Sequence, residues 1–264
     1  MEYRQLLQVA IQASVEAGGE IMRIYNDPAQ DFGIERKSDN SPLTLADKAA
    51  HVRIMSFLDK TGIPVLSEEG AHDAYSKRTA WDAFWLVDPL DGTKEFIKKN
   101  GEFTVNVALI EHGSPTLGVV YVPAKDVLYY GIVGKGAFRR AGGVEERLPL
   151  DQAKHDDFVI VASRSHLSPE TQSYIDDRAT EYEKIRTISS GSSIKICLVA
   201  EGTADAYPRF APTMEWDTGA GDAVARAAGK LVLQAGTYDG LPCEEGQPLV
   251  YNKEDLHNPW FLVK

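Results

Sequence analysis

The sequence predicts a fold of mixed α and β structure, with an antiparallel sheet in the first half and alternating helices and strands in the second. Apolar residues recur at spacings of three and four over residues 6–24, which is the pattern of one buried helix face. Three β-prone runs, residues 104–110, 117–122 and 127–133, are separated by short turns that contain Gly or Pro, as in an antiparallel meander. After Gly143, strand-like and helix-like segments alternate.

The first half begins with two predicted helices. The opening helix ends before residues 26–28, Asn-Asp-Pro. A second helix begins near residues 44–47, where Thr-Leu-Ala-Asp resembles an N-terminal capping arrangement, and it runs to about Lys60. Two short β-prone runs follow, residues 64–67 and 84–87, and the second is continuously apolar, as in a buried strand.

The second half is predicted as an α/β unit. Its expected elements are a strand at 158–162 and helices at 169–177, 192–201 and 217–230. We place a soft domain boundary near residue 155, without a long linker. Residues 1–155 then form an N-terminal α+β domain with the antiparallel sheet, and residues 156–264 form a C-terminal α/β domain.

Composition excludes several classes of protein. The 264 residues are 43% hydrophobic and 25% charged, which rules out collagen, disordered chains and disulfide miniproteins. Twenty-eight basic against 39 acidic residues give a net charge of -11, a field that repels nucleic acid and anionic membranes. A polyanionic substrate therefore needs a local cluster of metal ions or basic side chains. The sequence carries no signal for the oligomeric state.

Several features favour a cytoplasmic location. Cys197 and Cys243 form no disulfide framework and have no metal-ligand spacing, which predicts free thiols in a reducing compartment. The first residues lack the pattern of a signal peptide, and no apolar run approaches the roughly 18 residues of a transmembrane segment. Peripheral contact with a membrane remains open.

Carboxylates follow the two short strands. Glu68 comes directly after one, and Asp88 and Asp91 come after the other, three residues apart across a turn stiffened by Pro89. The Leu90 carbonyl can point the same way as the carboxylates. Such an all-oxygen ligand set suits Mg²⁺ or Mn²⁺ rather than zinc. The structural alternative is an acidic turn that caps a helix.

Four further residues have both a chemical and a structural interpretation. Gly92 permits close approach of backbone N–H groups to a phosphate, and the Thr93 hydroxyl can orient a water molecule or cap a helix. Asp47 and Asp217 lie at predicted helix starts, where a carboxylate is favoured without any ligand.

The order of these motifs along the chain is distinctive. The segments are 41–47, Ser-Pro-Leu-Thr-Leu-Ala-Asp, then 67–70, Ser-Glu-Glu-Gly, then 85–93, Trp-Leu-Val-Asp-Pro-Leu-Asp-Gly-Thr, then 216–221, Trp-Asp-Thr-Gly-Ala-Gly. This set resembles the inositol monophosphatase superfamily of Mg²⁺-dependent, lithium-sensitive phosphatases. Segments 92–97, 101–106, 190–195 and 207–210 narrow the resemblance to the CysQ-type 3'(2'),5'-bisphosphate nucleotidases.

The resemblance implies a layered α-β-α-β-α sandwich and hydrolysis of adenosine 3',5'-bisphosphate, a by-product of sulfate assimilation, to AMP and phosphate. Some relatives are peripheral at the cytoplasmic face of the inner membrane. By the same resemblance, two or three Mg²⁺ ions, with Mn²⁺ as a possible substitute, bind to four carboxylates and one carbonyl: Glu68, Asp88, Asp91, Asp217 and Leu90. Asp47 and Thr93 position and activate the attacking water, and the amides of Gly92 and Thr93 hold the scissile phosphate.

The second phosphate of such a substrate needs a cationic anchor because the protein is anionic overall. Lys195 is expected in the first turns of a helix, and Arg209 precedes Asp217 closely enough to reach the same ligand. By resemblance, Ser192, Lys195 and Arg209 contact the nucleotide, as do Asp217 and His166. The alternative is that Lys195 and Arg209 are solvated surface charges.

The sequence is also compatible with two other functions. The first is a sugar or inositol monophosphate phosphatase on the same fold, since substrate choice depends on the less diagnostic second half. The second is a catalytically silent ligand sensor, which the intact carboxylates disfavour because buried acids without a metal repel each other.

Overall fold

The computed structural model describes residues 2–28, 32–36, 42–151, 156–163, 168–238 and 241–264. The predicted boundary near residue 155 lies outside these residues, so the division into two domains stays a prediction. Cys197 is a buried free thiol.

The first half contains the predicted helices and strands together with several short elements. Its helices are α1 (Tyr3–Tyr25), α2 (Leu45–Leu58), α3 (Tyr75–Arg78) and α4 (Thr93–Ile97). Its strands are β1 (Glu35–Arg36), β2 (Pro42–Leu43), β3 (Val65–Ser67), β4 (Ala83–Asp91), β5 (Thr104–Glu111), β6 (Ser114–Val122), β7 (Val127–Ile132), β8 (Gly136–Ala141) and β9 (Val144–Arg147).

The second half contains more strand than the sequence predicts. Its helices are α5 (Pro169–Arg178), α6 (Ile194–Glu201) and α7 (Glu215–Ala227). Its strands are β10 (Phe158–Ser163), β11 (Ile185–Ser190), β12 (Tyr207–Arg209), β13 (Val232–Tyr238), β14 (Leu241–Pro248) and β15 (Phe261–Val263). Of these strands, only β10 was expected. The predicted helices lie within two or three residues of their expected ends.

The larger sheet confirms the antiparallel meander. Its strand order is β3-β4-β5-β6-β7-β8-β9, and β3 pairs with β4 in parallel while every other neighbouring pair is antiparallel. Strands β8 and β9 extend the meander beyond the three predicted strands. The carboxyl ends of β3 and β4 therefore lie side by side, which brings Glu68 close to Asp88 and Asp91.

Both faces of this sheet are buried. Along β4, Trp85 and Val87 pack into the apolar cluster that contains α1 and α2, whereas Phe84 and Leu86 pack into the cluster that contains α6 and α7. This alternation is the period of a β-strand, and it explains why the run is continuously apolar. At Gly118 on β6 a Cβ would lie 2.3 Å from the Ala220 carbonyl oxygen of α7, so a glycine is required there.

Two smaller sheets lie beyond α6 and α7. Strands β10 and β11 pair in parallel, and β12, β15, β13 and β14 form a sheet in that order. Helix α5 contacts β12 and β14 on the outer side. The layers are therefore helix, sheet, helix, sheet and helix, which confirms the expected α-β-α-β-α sandwich.

One local expectation is wrong. Residues 88–91 do not form a separate turn, because β4 continues to Asp91 with its pairing to β5 shifted between Asp88 and Asp91. Gly92 then adopts a φ of 93° and α4 begins at Thr93. The irregular strand end turns both carboxylates toward the same edge of the sheet.

Candidate active site

Five chain segments meet at one cavity of about 980 Å³. They are the end of β4 with α4, the residue after β3, the turn between β11 and α6, β12 with the residues that follow it, and the start of α7. The predicted site residues that line the cavity are Glu68, Asp91, Gly92, Thr93, Ser192, Lys195, Arg209 and Asp217. Asp47 and Asp88 are almost fully buried beside these residues, each 1% exposed.

Three predicted metal ligands form a compact cluster. Asp88, Asp91 and Asp217 each offer a carboxylate oxygen, and these oxygens lie within 4.8 Å of one another. Asp88 and Asp91 come from β4, while Asp217 comes from the first turn of α7. The sandwich thus brings together carboxylates that are more than 120 residues apart in the chain.

The electrostatics of this cluster favour a cation. Burial, followed by the charges of Glu68, Asp91 and Asp217, raises the pKa of Asp88 well above its usual value. Burial and the charge of Asp91 likewise raise the pKa of Asp217 to about 8. A divalent cation would relieve this repulsion, and its preferred ligands are the hard carboxylate oxygens present here. The residues therefore fit a metal ion.

Glu68 and Leu90 adjoin the cluster. The Glu68 backbone N–H donates to the Val87 carbonyl at 3.0 Å, which extends the pairing of β3 with β4. The charge of Glu68 reaches both Asp88 and Asp217, although Glu68 is not one of the three clustered carboxylates. The Leu90 carbonyl accepts a hydrogen bond from the Thr93 hydroxyl at 3.3 Å, and the Leu90 N–H donates to Asp88 at 3.0 Å.

Asp47 and Thr93 meet at the other side of β4. The Thr93 hydroxyl lies 3.3 Å from Asp47 Oδ1. Asp47 Oδ2 accepts from the Thr44 N–H at 2.7 Å and the Thr44 hydroxyl at 2.6 Å, which confirms the predicted capping arrangement. Burial raises the pKa of Asp47 to about 6. One carboxylate oxygen thus caps α2, and the other faces Thr93.

Asp217 occupies a similar place in α7. Asp217, which the sequence places at a helix start, is the third helical residue of α7, and the N-cap is Met214. Its Oδ2 accepts from the Met214 N–H at 2.8 Å. The capping function and the carboxylate cluster therefore use the same side chain.

Lys195 is not a solvated surface charge, and Arg209 is half-buried. Lys195 is only 5% exposed, and its ammonium donates to the Ser192 carbonyl at 2.6 Å above the ring of Tyr207. Burial lowers the pKa of Lys195 to about 8. Arg209 donates to the Pro212 carbonyl at 3.1 Å, and its buried Nε has no partner among the described residues. Both side chains line the cavity.

His166 lies outside the described residues, so its predicted nucleotide contact stays a prediction. The Ser192 hydroxyl donates to Asp91 at 2.7 Å and lies 2.6 Å from the Thr104 hydroxyl. Ser192 therefore lines the cavity and also donates a hydrogen bond to the carboxylate cluster.

Sequence reasoning missed several polar residues of this site. Asn106 on β5 donates to the Ser193 hydroxyl at 2.8 Å, and Glu102 accepts from the Gly191 N–H at 3.0 Å. Asn106 lies between Val105 and Val107 in a buried strand, a pattern that indicates a buried polar partner. Lys94 and Lys98 on and after α4 also line the cavity mouth.

None of the helices in the described part of the chain has both the length and the apolar character needed to cross a bilayer.

Comparison with known proteins supports the resemblance. Residues 2–259 match the family described as the inositol monophosphatase family. The 3'(2'),5'-bisphosphate nucleotidase CysQ of Escherichia coli strain K12 is 46% identical over 261 residues, which cover 98% of this chain and 99% of the relative.

Solved structures agree. The crystal structure of CysQ from Bacteroides thetaiotaomicron has a TM-score of 0.89 and 52% identity, covering 99% of this chain and 97% of its own. The suhB protein of Bartonella henselae has a TM-score of 0.72 and 27% identity, covering 87% of each chain.

Proposed function

The chain belongs to the inositol monophosphatase family, and we propose that it is a metal-dependent 3'(2'),5'-bisphosphate nucleotidase. The substrate is adenosine 3',5'-bisphosphate, and the products are AMP and phosphate. The relatives named 3'(2'),5'-bisphosphate nucleotidase are 46% identical over almost the full length of both chains. Membership of the family also fits the alternative, a sugar or inositol monophosphate phosphatase, but the relatives at 46% identity do not carry that name.

One observation carries the substrate assignment. The same cavity is lined by two of the clustered carboxylates, Asp91 and Asp217, and by the basic side chains Lys195 and Arg209. A monophosphate of a sugar or an inositol needs only the metal end of such a cavity. A bisphosphorylated nucleotide has a second dianion, which needs the basic side chains as its anchor.

The proposed metal is Mg²⁺, with Mn²⁺ as a possible substitute. Asp88, Asp91 and Asp217 would hold it together with Glu68 and the Leu90 carbonyl, a donor set made entirely of oxygen. When bound, the metal acidifies a coordinated water and stabilises the leaving oxygen. Without it, the three clustered carboxylates would repel the substrate phosphate.

Asp47 and Thr93 are the proposed catalytic pair. Thr93 lies within hydrogen-bonding reach of Asp47 Oδ1, and its other acceptor is the Leu90 carbonyl. The Thr93 hydroxyl can therefore donate its one hydrogen to Asp47 and accept a hydrogen bond from the attacking water; as the water loses a proton to the Thr93 oxygen, the Thr93 hydrogen passes to Asp47. Asp47 in its ionised form holds this orientation and takes up the proton. The amides of Gly92 and Thr93 are proposed to hold the scissile phosphate.

The nucleotide contacts are proposed to come from the second half. Lys195 and Arg209 bind the phosphate that is not cleaved, because their charges balance it where the protein is otherwise anionic. Ser192 and His166 are proposed to contact the same ligand. The proposed location is the cytoplasm, with peripheral association at the cytoplasmic face of the inner membrane as a further proposal.

A single assay tests this function. Release of phosphate is measured with adenosine 3',5'-bisphosphate and with inositol 1-phosphate, each with Mg²⁺ and with excess chelator. We expect turnover of the nucleotide in Mg²⁺, a much lower kcat/KM for inositol 1-phosphate, and no turnover in chelator. A preference for inositol 1-phosphate would favour the alternative substrate class. Full activity in chelator would exclude the metal-dependent mechanism, and no turnover of either substrate would favour a silent sensor.

A further inference from the structure

We propose that Ser193 is a positioning residue that sets the metal-binding geometry of Asp91 and the start of α7. The inference rests on the proposed function, since it concerns how the same site is held together. Ser193 lies between the carboxylate cluster and the basic side chains described above.

The Ser193 hydroxyl lies at the meeting point of three structural elements. Its oxygen is 2.6 Å from Asp91 Oδ2 at the end of β4 and 2.8 Å from the Asp217 carbonyl in α7. The same oxygen accepts a hydrogen bond from Asn106 on β5 at 2.8 Å. Ser193 is 3% exposed, so water does not compete for these bonds.

The position of Ser193 in its own helix makes this arrangement informative. Ser193 is the N-cap residue of α6, and serine is favoured there because its hydroxyl normally accepts from the free N–H groups of the first turn. Its side chain makes no such capping bond. The hydroxyl oxygen instead accepts from Asn106, and its single hydrogen can be donated to Asp91 or to the Asp217 carbonyl, so helix capping does not explain it.

Asp91 is held through one oxygen. Its Oδ2 accepts from the Ser193 hydroxyl, from the Ser193 N–H at 2.7 Å and from the Ser192 hydroxyl at 2.7 Å. Within the described residues no donor bonds to Oδ1, which leaves that oxygen for a cation. A ligand carboxylate that is fixed in this way needs no reorientation when a metal binds.

The turn before α6 is itself held by the first half of the chain. Ser192 adopts a φ of 55°, a left-handed conformation that is uncommon for a residue with a side chain. The hydrogen bonds to Asp91 and Thr104, together with the Gly191 N–H bond to Glu102, hold this conformation. The same turn carries Lys195 into the cavity, so the metal ligands and the phosphate anchor share one support.

The test compares Ser193→Ala with Ser14→Ala. Ser14 is a matched control because it is a buried serine of α1 whose hydroxyl donates to the Ala10 carbonyl at 2.8 Å, away from the cavity. The first readout is binding of Mg²⁺ alone, measured as the Mg²⁺ concentration that gives half of the maximal rise in Tm. The second is the Mg²⁺ concentration at half-maximal hydrolysis of adenosine 3',5'-bisphosphate, and the third is KM at saturating Mg²⁺.

We expect Ser193→Ala to raise both half-maximal Mg²⁺ concentrations by about ten-fold or more, the range seen when a group that orients a metal ligand is removed. KM at saturating Mg²⁺ should change less than about three-fold, since Ser192 and the Ser193 N–H still hold the turn. Ser14→Ala should leave both half-maximal Mg²⁺ concentrations unchanged. Ser193→Thr keeps the hydroxyl and should restore Mg²⁺ midpoints close to those of the wild type.

Two results would overturn the inference. One is a Ser193→Ala protein whose Mg²⁺ midpoints equal those of the wild type. The other is a Ser193→Thr protein as impaired in Mg²⁺ binding as Ser193→Ala, which would indicate a packing defect. A wild-type protein that binds Mg²⁺ but does not hydrolyse the nucleotide would contradict the proposed function alone, because the Tm comparison would still stand.

Discussion

Raising the pH above 8 is expected to remove the positive charge of Lys195 and to weaken capture of the nucleotide. Burial lowers the pKa of this ammonium to about 8, whereas a lysine in water stays charged to about pH 10. The charged fraction therefore falls from about one half at pH 8 to about one tenth at pH 9. If the second phosphate needs this charge, kcat/KM for adenosine 3',5'-bisphosphate falls about five-fold over that interval, since kcat/KM reports the free enzyme.

The assay uses a ratio so that titration of the metal ligands cancels. We would measure kcat/KM at saturating Mg²⁺ for adenosine 3',5'-bisphosphate and for adenosine 3'-monophosphate, which lacks the phosphate to be anchored. Only their ratio should fall between pH 8 and 9. Lys195→Arg, whose charge persists in this range, should abolish that fall, and Lys195→Met should lower the ratio at every pH. The exposed lysine Lys125 supplies the control Lys125→Met, which should behave as the wild type.

A ratio that stays flat in the wild type would refute the argument. So would an identical fall in Lys195→Arg, since the titrating group would then lie elsewhere.

The remaining predictions concern the other proposed groups. Asp47→Asn and Thr93→Ala should each lower kcat by about 10²–10⁴ with smaller changes in KM, as for general acid–base groups, and near wild-type kcat would leave either residue with a structural role only. Arg209→Ala should raise KM for the bisphosphate about ten-fold, the effect of one lost charged hydrogen bond, and leave adenosine 3'-monophosphate unaffected; equal losses on both would contradict it. Asp91→Asn should abolish turnover and the Tm rise in Mg²⁺, and a variant with normal Mg²⁺ response would remove Asp91 from the metal site. In chelator, the free energy of unfolding should fall as pH rises from about 5 to 8, because Asp217 keeps its proton to about pH 8 in the folded protein but only to about pH 4 in the unfolded chain. Denaturant titrations should show that Mg²⁺ reduces this fall. An equal fall with and without Mg²⁺ would contradict the prediction.

Much of the site could be predicted because its residues lie at ends of regular elements. Asp47 follows Thr44 at the spacing of a capping box, and this local pattern placed it correctly at the start of α2. Glu68 follows β3, and Asp88 and Asp91 lie at the end of β4, its parallel neighbour. Such signals depend on short-range sequence spacing, which is visible without any knowledge of the tertiary structure.

Other features depend on contacts that no local pattern records. The sequence predicted a turn at residues 88–91, but pairing with β5 keeps this segment in the sheet. Strands β9 and β14 were missed because they are rich in charged or turn-forming residues, Val-Glu-Glu-Arg in β9 and Leu-Pro-Cys-Glu-Glu-Gly-Gln-Pro in β14. The burial of Lys195 also requires the second half to fold over the first, which composition and spacing do not reveal.

The two capped helices have a consequence for the field inside the cavity. Helix α2 packs on one face of the large sheet and α7 on the other. In the first turn of α2, Asp47 contacts Thr93 just after β4, and in the first turn of α7, Asp217 lies within 4.8 Å of Asp88 and Asp91 at the end of β4. The aligned peptide dipoles of a helix place about half a positive charge at its N-terminus. A phosphate at the end of β4 therefore meets partial positive charge from two directions, inside a protein whose net charge is -11. The carboxylate in the first turn of each helix, Asp47 in α2 and Asp217 in α7, offsets part of that positive charge. When a metal ion or a proton neutralises one of these carboxylates, the positive end of that helix dipole is no longer offset, and the electrostatic potential at the phosphate becomes more positive.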